Sequence, residues 1–530
     1  MLPVRLLGEV ARTVERIAGR TWGTAPAWIV MGLTAWLLAR AAGLGGDANW
    51  DLRNYHIYNA FALLHGRAAV DLAPAQIQTF HVPTLDLPYY LLSSHIHHVW
   101  LLNIILALPH CLAVALAFLV TVRILGTRDL AGLTLALCAT LIGATGAAML
   151  PTLATSLSDA WPVSCVLAAL LLLAGTKRWT ARRLLLAGLL CGAAAGLKLT
   201  TAYAGVAACA AVMLTGGGTL GSRTCRGAVF AAGMTLGAGV LAGWWWWRLY
   251  ATTGNPLFPY YNAIFHSALV APKNIQDLRF FPRTRLQWFV YPFFWARYRF
   301  AGASELAVRD PRLAMAMLAM PVLAWGALRR RDRAIRMLLA FMTISYLVWL
   351  REFAVFRYAS VLELLSGTML AASLLPWIAA VRGRALAAFG LALLLGALQM
   401  VTVYPDWGHT SAEAPSVTIG PPALPQGSLV LLLDWSAMAY LAAFIDPPVR
   451  FVGANNTLVQ LTRAGTLQSA VQQAIDDQRG PIWGLETPSE APGMADATLI
   501  FYNLRRGLCT KVISNLDNNA IHLCRLTKPP

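Results

Sequence analysis

Residues 28–56 read WIVMGLTAWLLARAAGLGGDANWDLRNYH. The apolar run 28–44 carries one charge, Arg40, near its end, and then gives way to Asp47, Asp51, Arg53 and His56. A run of that kind crosses a hydrocarbon layer roughly 30 Å thick as a single helix. Its C-terminal flank therefore stands at a membrane surface and carries two carboxylates there.

Working outward, apolar blocks recur at 99–122, 130–150, 161–175, 184–197, 202–215, 229–247, 313–328, 337–350, 360–380 and 386–403. Together they predict an all-α polytopic membrane bundle of about 11 transmembrane helices. Composition agrees. Of 530 residues, 58% are hydrophobic and 12% charged, about half the roughly 25% charged share of soluble proteins. A soluble enzyme, a disordered scaffold and a secreted disulfide module are excluded.

Lys and Arg number 42 against 24 Asp and Glu, a net charge of +18. The excess sits between apolar blocks, at Arg12/Arg16/Arg20, Arg123/Arg128, Lys177/Arg178/Arg182/Arg183, Arg223/Arg226, Arg329/Arg330/Arg331/Arg333/Arg336 and Arg382/Arg384. Positive residues hold such loops on the cytoplasmic side, so the charge encodes topology and no nucleic-acid partner is expected. The N-terminus is then cytoplasmic, loops 45–88 and 248–312 face outside, and so does the tail. Residues 54–65 predict a short amphipathic helix lying among the headgroups. Trp244–Trp247 read as an aromatic belt or a sugar-stacking platform.

The chain divides into a transmembrane module (1–403), a linker (404–427) with Pro421, Pro422 and Pro425, and a small extracytoplasmic α/β domain (428–530). In that domain 429–433 and 449–452 predict strands and 437–444 and 467–478 helices, completed by 499–502 and a hairpin around 515–524. Cys509 and Cys524 lie in this tail and would pair in an oxidising compartment. His81, His95, His97, His98 and His110 follow no closed metal spacing. No P-loop, Rossmann glycine pattern or Ser/His/Asp order is present.

Three stretches carry candidate chemistry. In 46–56, Asp51 or Asp47 can act as general base on a hydroxyl acceptor, while Asp51 is also placed to cap the following helix. Tyr55 and His56 are candidate substrate contacts. In 351–358, Arg351, Arg357 and Tyr358 join two spans on the outside, where topology asks for no positive charge. Arg357 suits a phosphate with its planar fork, and Lys198 suits one as a point charge. Structural Arg357–Glu363 and Lys198–Asp159 pairs are the alternative. In 253–266, Tyr260, Tyr261, Asn262 and His266 either bond a sugar or phosphate or simply anchor an aromatic loop.

These stretches, with Gly66-Arg67 and Asp71-Leu72, resemble the GT-C superfamily of integral-membrane glycosyltransferases. The resemblance covers most of the chain. It implies an enzyme of the bacterial inner membrane that moves a hexose or pentose from a polyprenyl-phosphate donor to an envelope glycan, lipid or protein, with inversion. The first-loop carboxylate, Asp51 or Asp47, would act on the acceptor; Lys198, Arg351 and Arg357 would hold the donor phosphate. Many members place adjacent acids or Asp-Xaa-Asp in that loop, whereas this chain spaces its acids by four. A divalent metal thus stays open as a cofactor. A flippase or transporter of lipid-linked sugars and a non-catalytic envelope-assembly subunit are the alternative readings.

Overall fold

The computed structural model describes residues 23–175, 178–330, 332–410, 417–419, 424–445, 449–461 and 466–529. Arg12, Arg16, Arg20, Lys177, Arg331 and the linker residues Pro421 and Pro422 lie outside the described residues.

Every apolar block of the sequence is helical: α1 (Ala25–Ala42), α2 (Val99–Leu125), α3 (Leu130–Ala144), α4 (Ala160–Leu173), α5 (Ala181–Leu197), α6 (Ala202–Thr215), α7 (Leu220–Thr253), α8 (Arg312–Arg330), α9 (Arg333–Glu352), α10 (Ser366–Leu374) and α11 (Val381–Val401). Among the described residues 6 helices, α1, α2, α7, α8, α9 and α11, are long and apolar enough to cross a membrane. Shorter apolar helices, α3, α4 and α6 among them, stand between these. The 360–380 block is broken: Ser360–Leu364 ends before α10 begins. There the buried Glu363 carboxylate accepts from the amides of Ala148 (2.9 Å) and Met149 (2.9 Å), and so binds the α10 side of the bundle to the turn after α3.

Helices in lipid gain little from hiding apolar surface from one another, so close backbone approach has to hold them. The α5–α7 pair shows the device. Gly188 and Gly192 of α5 face Gly233 and Gly237 of α7, and a Cβ on Gly192 would lie 1.9 Å from the Met234 carbonyl oxygen.

The first loop departs from expectation. Residues 52–64 are helical, as a π turn (Leu52–His56) followed by an α segment (Ile57–Leu64). However, Asn54, Tyr55, His56, Tyr58 and Asn59 are buried, and this helix packs against Ala439–Phe444 of the tail instead of lying among headgroups. Its polar side finds internal partners: His56 with Asp86, Tyr58 with Asp71, and Asn59 with the Gln78 carbonyl.

The tail forms one sheet from β1 (Val417–Ile419), β2 (Leu429–Leu432), β3 (Arg450–Gly453), β4 (Ile482–Glu486), β5 (Arg505–Ser514) and β6 (Ile521–Thr527). Strand order is β1-β5-β6-β4-β2-β3. The β2–β3 and β2–β4 pairs are parallel and the others antiparallel. Helices Thr466–Asp476 and Met494–Phe501 complete it. β1 comes from residues read as linker, β4 is an addition, and 499–502 fall at the end of the second helix. Cys509 and Cys524 are bonded across β5 and β6. The tail grips the first loop: Arg53 pairs with Asp517, Gln76 donates to the Trp435 carbonyl (2.7 Å), and Leu72 bridges to Val452.

Candidate active site

The charged residues singled out in distant stretches meet where the first loop covers the end of the bundle. Asp51 opens the first-loop helix but makes no cap hydrogen bond. Its Oδ2 instead accepts from Arg357 Nη2 at 3.0 Å. Arg357 sits on a short 3-10 turn (Phe356–Ala359) between α9 and the broken helix. Several backbone bonds fix that turn. Phe356 N donates to the Ala303 carbonyl (2.6 Å), Trp349 Nε1 to the Val355 carbonyl (2.9 Å), and Tyr203 Oη to the Tyr358 carbonyl (2.9 Å).

Around the Arg357 guanidinium stand Asp159 at 3.9 Å and Glu305 at 3.8 Å. Its Cζ lies 5.3 Å from the Tyr358 ring centroid and 5.1 Å from that of Trp407. Lys198, in extended conformation after α5, donates to the Leu157 carbonyl (3.0 Å) and pairs with Asp159. Glu363 does not join this cluster, because its carboxylate is taken up by the Ala148 and Met149 amides. The Lys198–Asp159 pair thus forms and the Arg357–Glu363 pair does not.

The cluster is largely buried and opens at Asp51 and Glu305. The Arg357 side chain is 5% exposed, against 18% for Asp51 and 34% for Glu305. Arg357 Nε and Nη1, Asp159 Oδ2 and His56 Nε2 are buried without a hydrogen-bond partner among the described residues. Buried polar atoms are nearly always paired, so these four call for a partner, whether water or ligand. Burial alone would raise the Asp51 pKa, but Arg357, His56 and Lys198 outweigh it and hold the carboxyl below its ordinary range. Asp51 therefore stays ionised at neutral pH.

Next to this cluster lies an aromatic–histidine layer. The Tyr55 ring packs 4.0 Å from that of His56 and 5.4 Å from that of His81, and His81 Nε2 lies 3.0 Å from Tyr260 Oη. His56 Nδ1 is 2.6 Å from Asp86 Oδ1, and burial pushes the Asp86 carboxyl up. Burial holds the His81 imidazole down at about 4. The sign follows from proton counting. Between about pH 6.5 and about pH 4 the unfolded chain binds this proton and the folded chain does not, so stability falls as pH falls through that window, by up to about 3 kcal/mol. The thermal midpoint of detergent-purified protein should therefore drop from about pH 7 to about pH 5, and His81→Phe should flatten the slope. Equal slopes in both proteins would remove His81 from the account.

The other sequence candidates fall into two groups. Asp47 and Asn262 are occupied with holding loops. Asp47 accepts from Asn49 Nδ2 (2.7 Å) and Ser156 N (2.6 Å). Asn262 donates to the carbonyls of Ser267 and Val270 (both 3.0 Å) and accepts from Ser267 N (2.8 Å). Arg351, at the end of α9, and His266 are exposed, and Tyr261 is half-buried. Asp86, His81, Glu305 and Trp407 were not singled out as contributors to a site. A histidine with an acid thirty positions on has no local signature, and Glu305 and Trp407 lie in loops whose folding back only the tertiary structure reveals.

The acids nearest Arg357, namely Asp51, Asp159 and Glu305, offer carboxylate oxygens of the kind a divalent metal takes, and each stands within 4 Å of the guanidinium. Elsewhere among the described residues, Glu486, Cys509 and Cys524 approach metal-ligand spacing. The two cysteines, however, are bonded to each other and offer no thiolate.

No protein-family model and no curated protein matches this sequence. Among solved structures, that of ArnT from Cupriavidus metallidurans in the apo state superposes with a TM-score of 0.50, covering 95% of this chain and 98% of that one at 13% identity. The chain has the ArnT fold. Agreement over nearly the whole of both chains takes in the bundle and the tail alike. At 13% identity the shared property is architecture, and the ArnT likeness assigns no residue its role.

Proposed function

We propose that this chain is a membrane glycosyltransferase that moves a sugar from a polyprenyl-phosphate donor to a hydroxyl acceptor at the outer face of the bacterial inner membrane. The N-terminus is then cytoplasmic and the 428–530 domain periplasmic, an oxidising setting that suits the Cys509–Cys524 bond. One observation carries the reading: Arg357, Lys198 and Asp51, drawn from three distant segments, converge with unpaired guanidinium N–H groups where the first loop covers the end of the bundle.

In this reading Arg357 and Lys198 hold the donor phosphate, with Tyr358 against both side chains. They stabilise the negative charge that grows on the phosphate oxygen as its bond to the anomeric carbon breaks. Asp51 orients the acceptor hydroxyl and takes its proton as the oxygen attacks the opposite side of that carbon, which inverts the centre. Polyprenyl phosphate leaves, and no nucleotide is consumed. Tyr55, His56 and Tyr260 line the acceptor side. Arg351, Tyr261 and His266 are left without a part in the transfer, while Asp47 and Asn262 keep the two loops in shape.

The test is native mass spectrometry of protein purified in mild detergent. Wild type should retain a polyprenyl phosphate or its glycosylated form. Arg357→Ala should lose at least about tenfold of that occupancy, the scale of one charge-assisted phosphate contact, and Arg357→Lys should keep part of it. A folded wild type with no such lipid under conditions that preserve other bound lipids would favour a transporter or an assembly subunit.

A further inference from the structure

A second basic site lies at the other end of the bundle. α2 starts beside the first loop, where Asn103 Nδ2 donates to the Leu44 carbonyl (2.9 Å), and carries Arg123 to the far face. α9 runs the opposite way, from Arg333 to the turn that bears Arg357. At that far end a cavity of about 570 Å³ is lined by Arg123, Trp179, Asp332, Arg333 and Arg336, with Leu125 and Leu375 among its apolar walls.

Its arginines crowd one another. The Arg333 guanidinium lies over the Trp179 ring at 4.4 Å, with Arg226 and Arg336 close enough to repel it. Arg226 Nη2 donates to the carbonyl of Gly217, another lining residue. Asp332 is the acid of the lining, but its Oδ1 caps α9 by accepting from Ala334 N at 2.8 Å. Arg333 Nη2 and Arg226 Nε are buried without a hydrogen-bond partner among the described residues. Gathering guanidinium groups at a partly apolar cavity is costly unless an anion joins them, and the planar N–H fork matches phosphate oxygens.

We propose that this cavity binds a phosphate group, carried by an anionic phospholipid or free, at the membrane face opposite Asp51. The site is separate from the donor site and does not depend on the transferase reading. An anion there would tie α2 to the start of α9, whose far end positions Arg357.

The experiment uses the full chain in mild detergent with two probes, phosphatidylglycerol and inorganic phosphate, followed by native mass spectrometry and the ligand-dependent shift of the thermal midpoint. Wild type and Arg382→Gln, an exposed arginine outside the cavity lining, should bind phosphatidylglycerol alike. Arg333→Gln should bind it at least tenfold more weakly. Saturation by phosphate alone, lost in Arg333→Gln, would support the same site with free phosphate as its ligand. Wild type and Arg333→Gln responding equally to both probes, or wild type binding neither, would overturn the proposal. Should Arg333→Gln fail to fold, Arg123→Gln on the opposing wall is read in its place.

Discussion

Asp51→Asn should lower sugar transfer by about 10²–10⁴-fold, the range for losing a positioned proton acceptor, while the protein remains folded and donor-loaded. The reason lies in what Arg357 keeps. Asparagine preserves the side-chain shape and still offers an oxygen to Arg357 Nη2, and Asp159 and Glu305 continue to balance the guanidinium from 3.9 and 3.8 Å. Donor retention should stay level or rise, because the Asp51 carboxylate on Nη2 and a lipid phosphate on the remaining N–H groups share one guanidinium charge. Measuring turnover and retained lipid on the same preparation separates the two effects. Unchanged turnover with normal lipid content would remove Asp51 from the chemistry.

That sharing also answers an objection. A carboxylate held below its ordinary pKa by Arg357 is a poor base in the free protein. On the proposed reading, a donor phosphate on Arg357 would share the arginine's charge and release Asp51 toward ordinary basicity. Donor binding would thereby prepare the acceptor side, a coupling built from one guanidinium between two anions.

How far the sequence reveals this arrangement depends on distance along the chain. The bundle is legible because each helix is written locally, as a continuous apolar block closed by basic residues or glycine; α2, from Val99 to Leu125, ends on Gly126 in the left-handed region. Arg357 and Lys198 are legible as candidates because charge at the outer end of a span has no topological use. Their partners are not. A separation of 306 positions between Asp51 and Arg357 leaves no periodic trace, and Asp47 looks like its neighbour Asp51 until Ser156 N is seen bonded to it. The first-loop helix misleads for a related reason. Its Ile57, Phe61 and Leu64 form an apolar stripe as an interfacial helix would, and only the tail packed over Asn54–Asn59 shows that the polar side is covered too. β4 escapes because Ile482–Glu486 is buried throughout and lacks the alternation that marks a half-exposed strand.

Gly192→Leu should abolish stable protein. Where α5 meets α7, a Cβ at Gly192 would sit 1.9 Å from the Met234 carbonyl oxygen and 2.6 Å from its carbon, and both belong to the backbone of a continuous helix that has no rotamer to change. The helices would have to separate along a seam that also holds Gly188, Gly233 and Gly237. Within a membrane, separation forfeits dispersion contacts that no hydrophobic gain replaces. Gly192→Ala alone should cost about 3 kcal/mol, the upper end for overpacking, and leucine more. The cost should spread to the candidate site, since α5 ends at Leu197 and Lys198 projects from the next position toward Asp159. Thermal unfolding in detergent would show Gly192→Ala markedly lowered, whereas Gly243→Ala, at a position on α7 where a Cβ meets nothing within 4 Å, would stay near wild type. Equal midpoints for the two alanine variants would mean that the seam does not hold these helices together, and that Lys198 owes its place to the Asp159 pair and the Leu157 carbonyl instead.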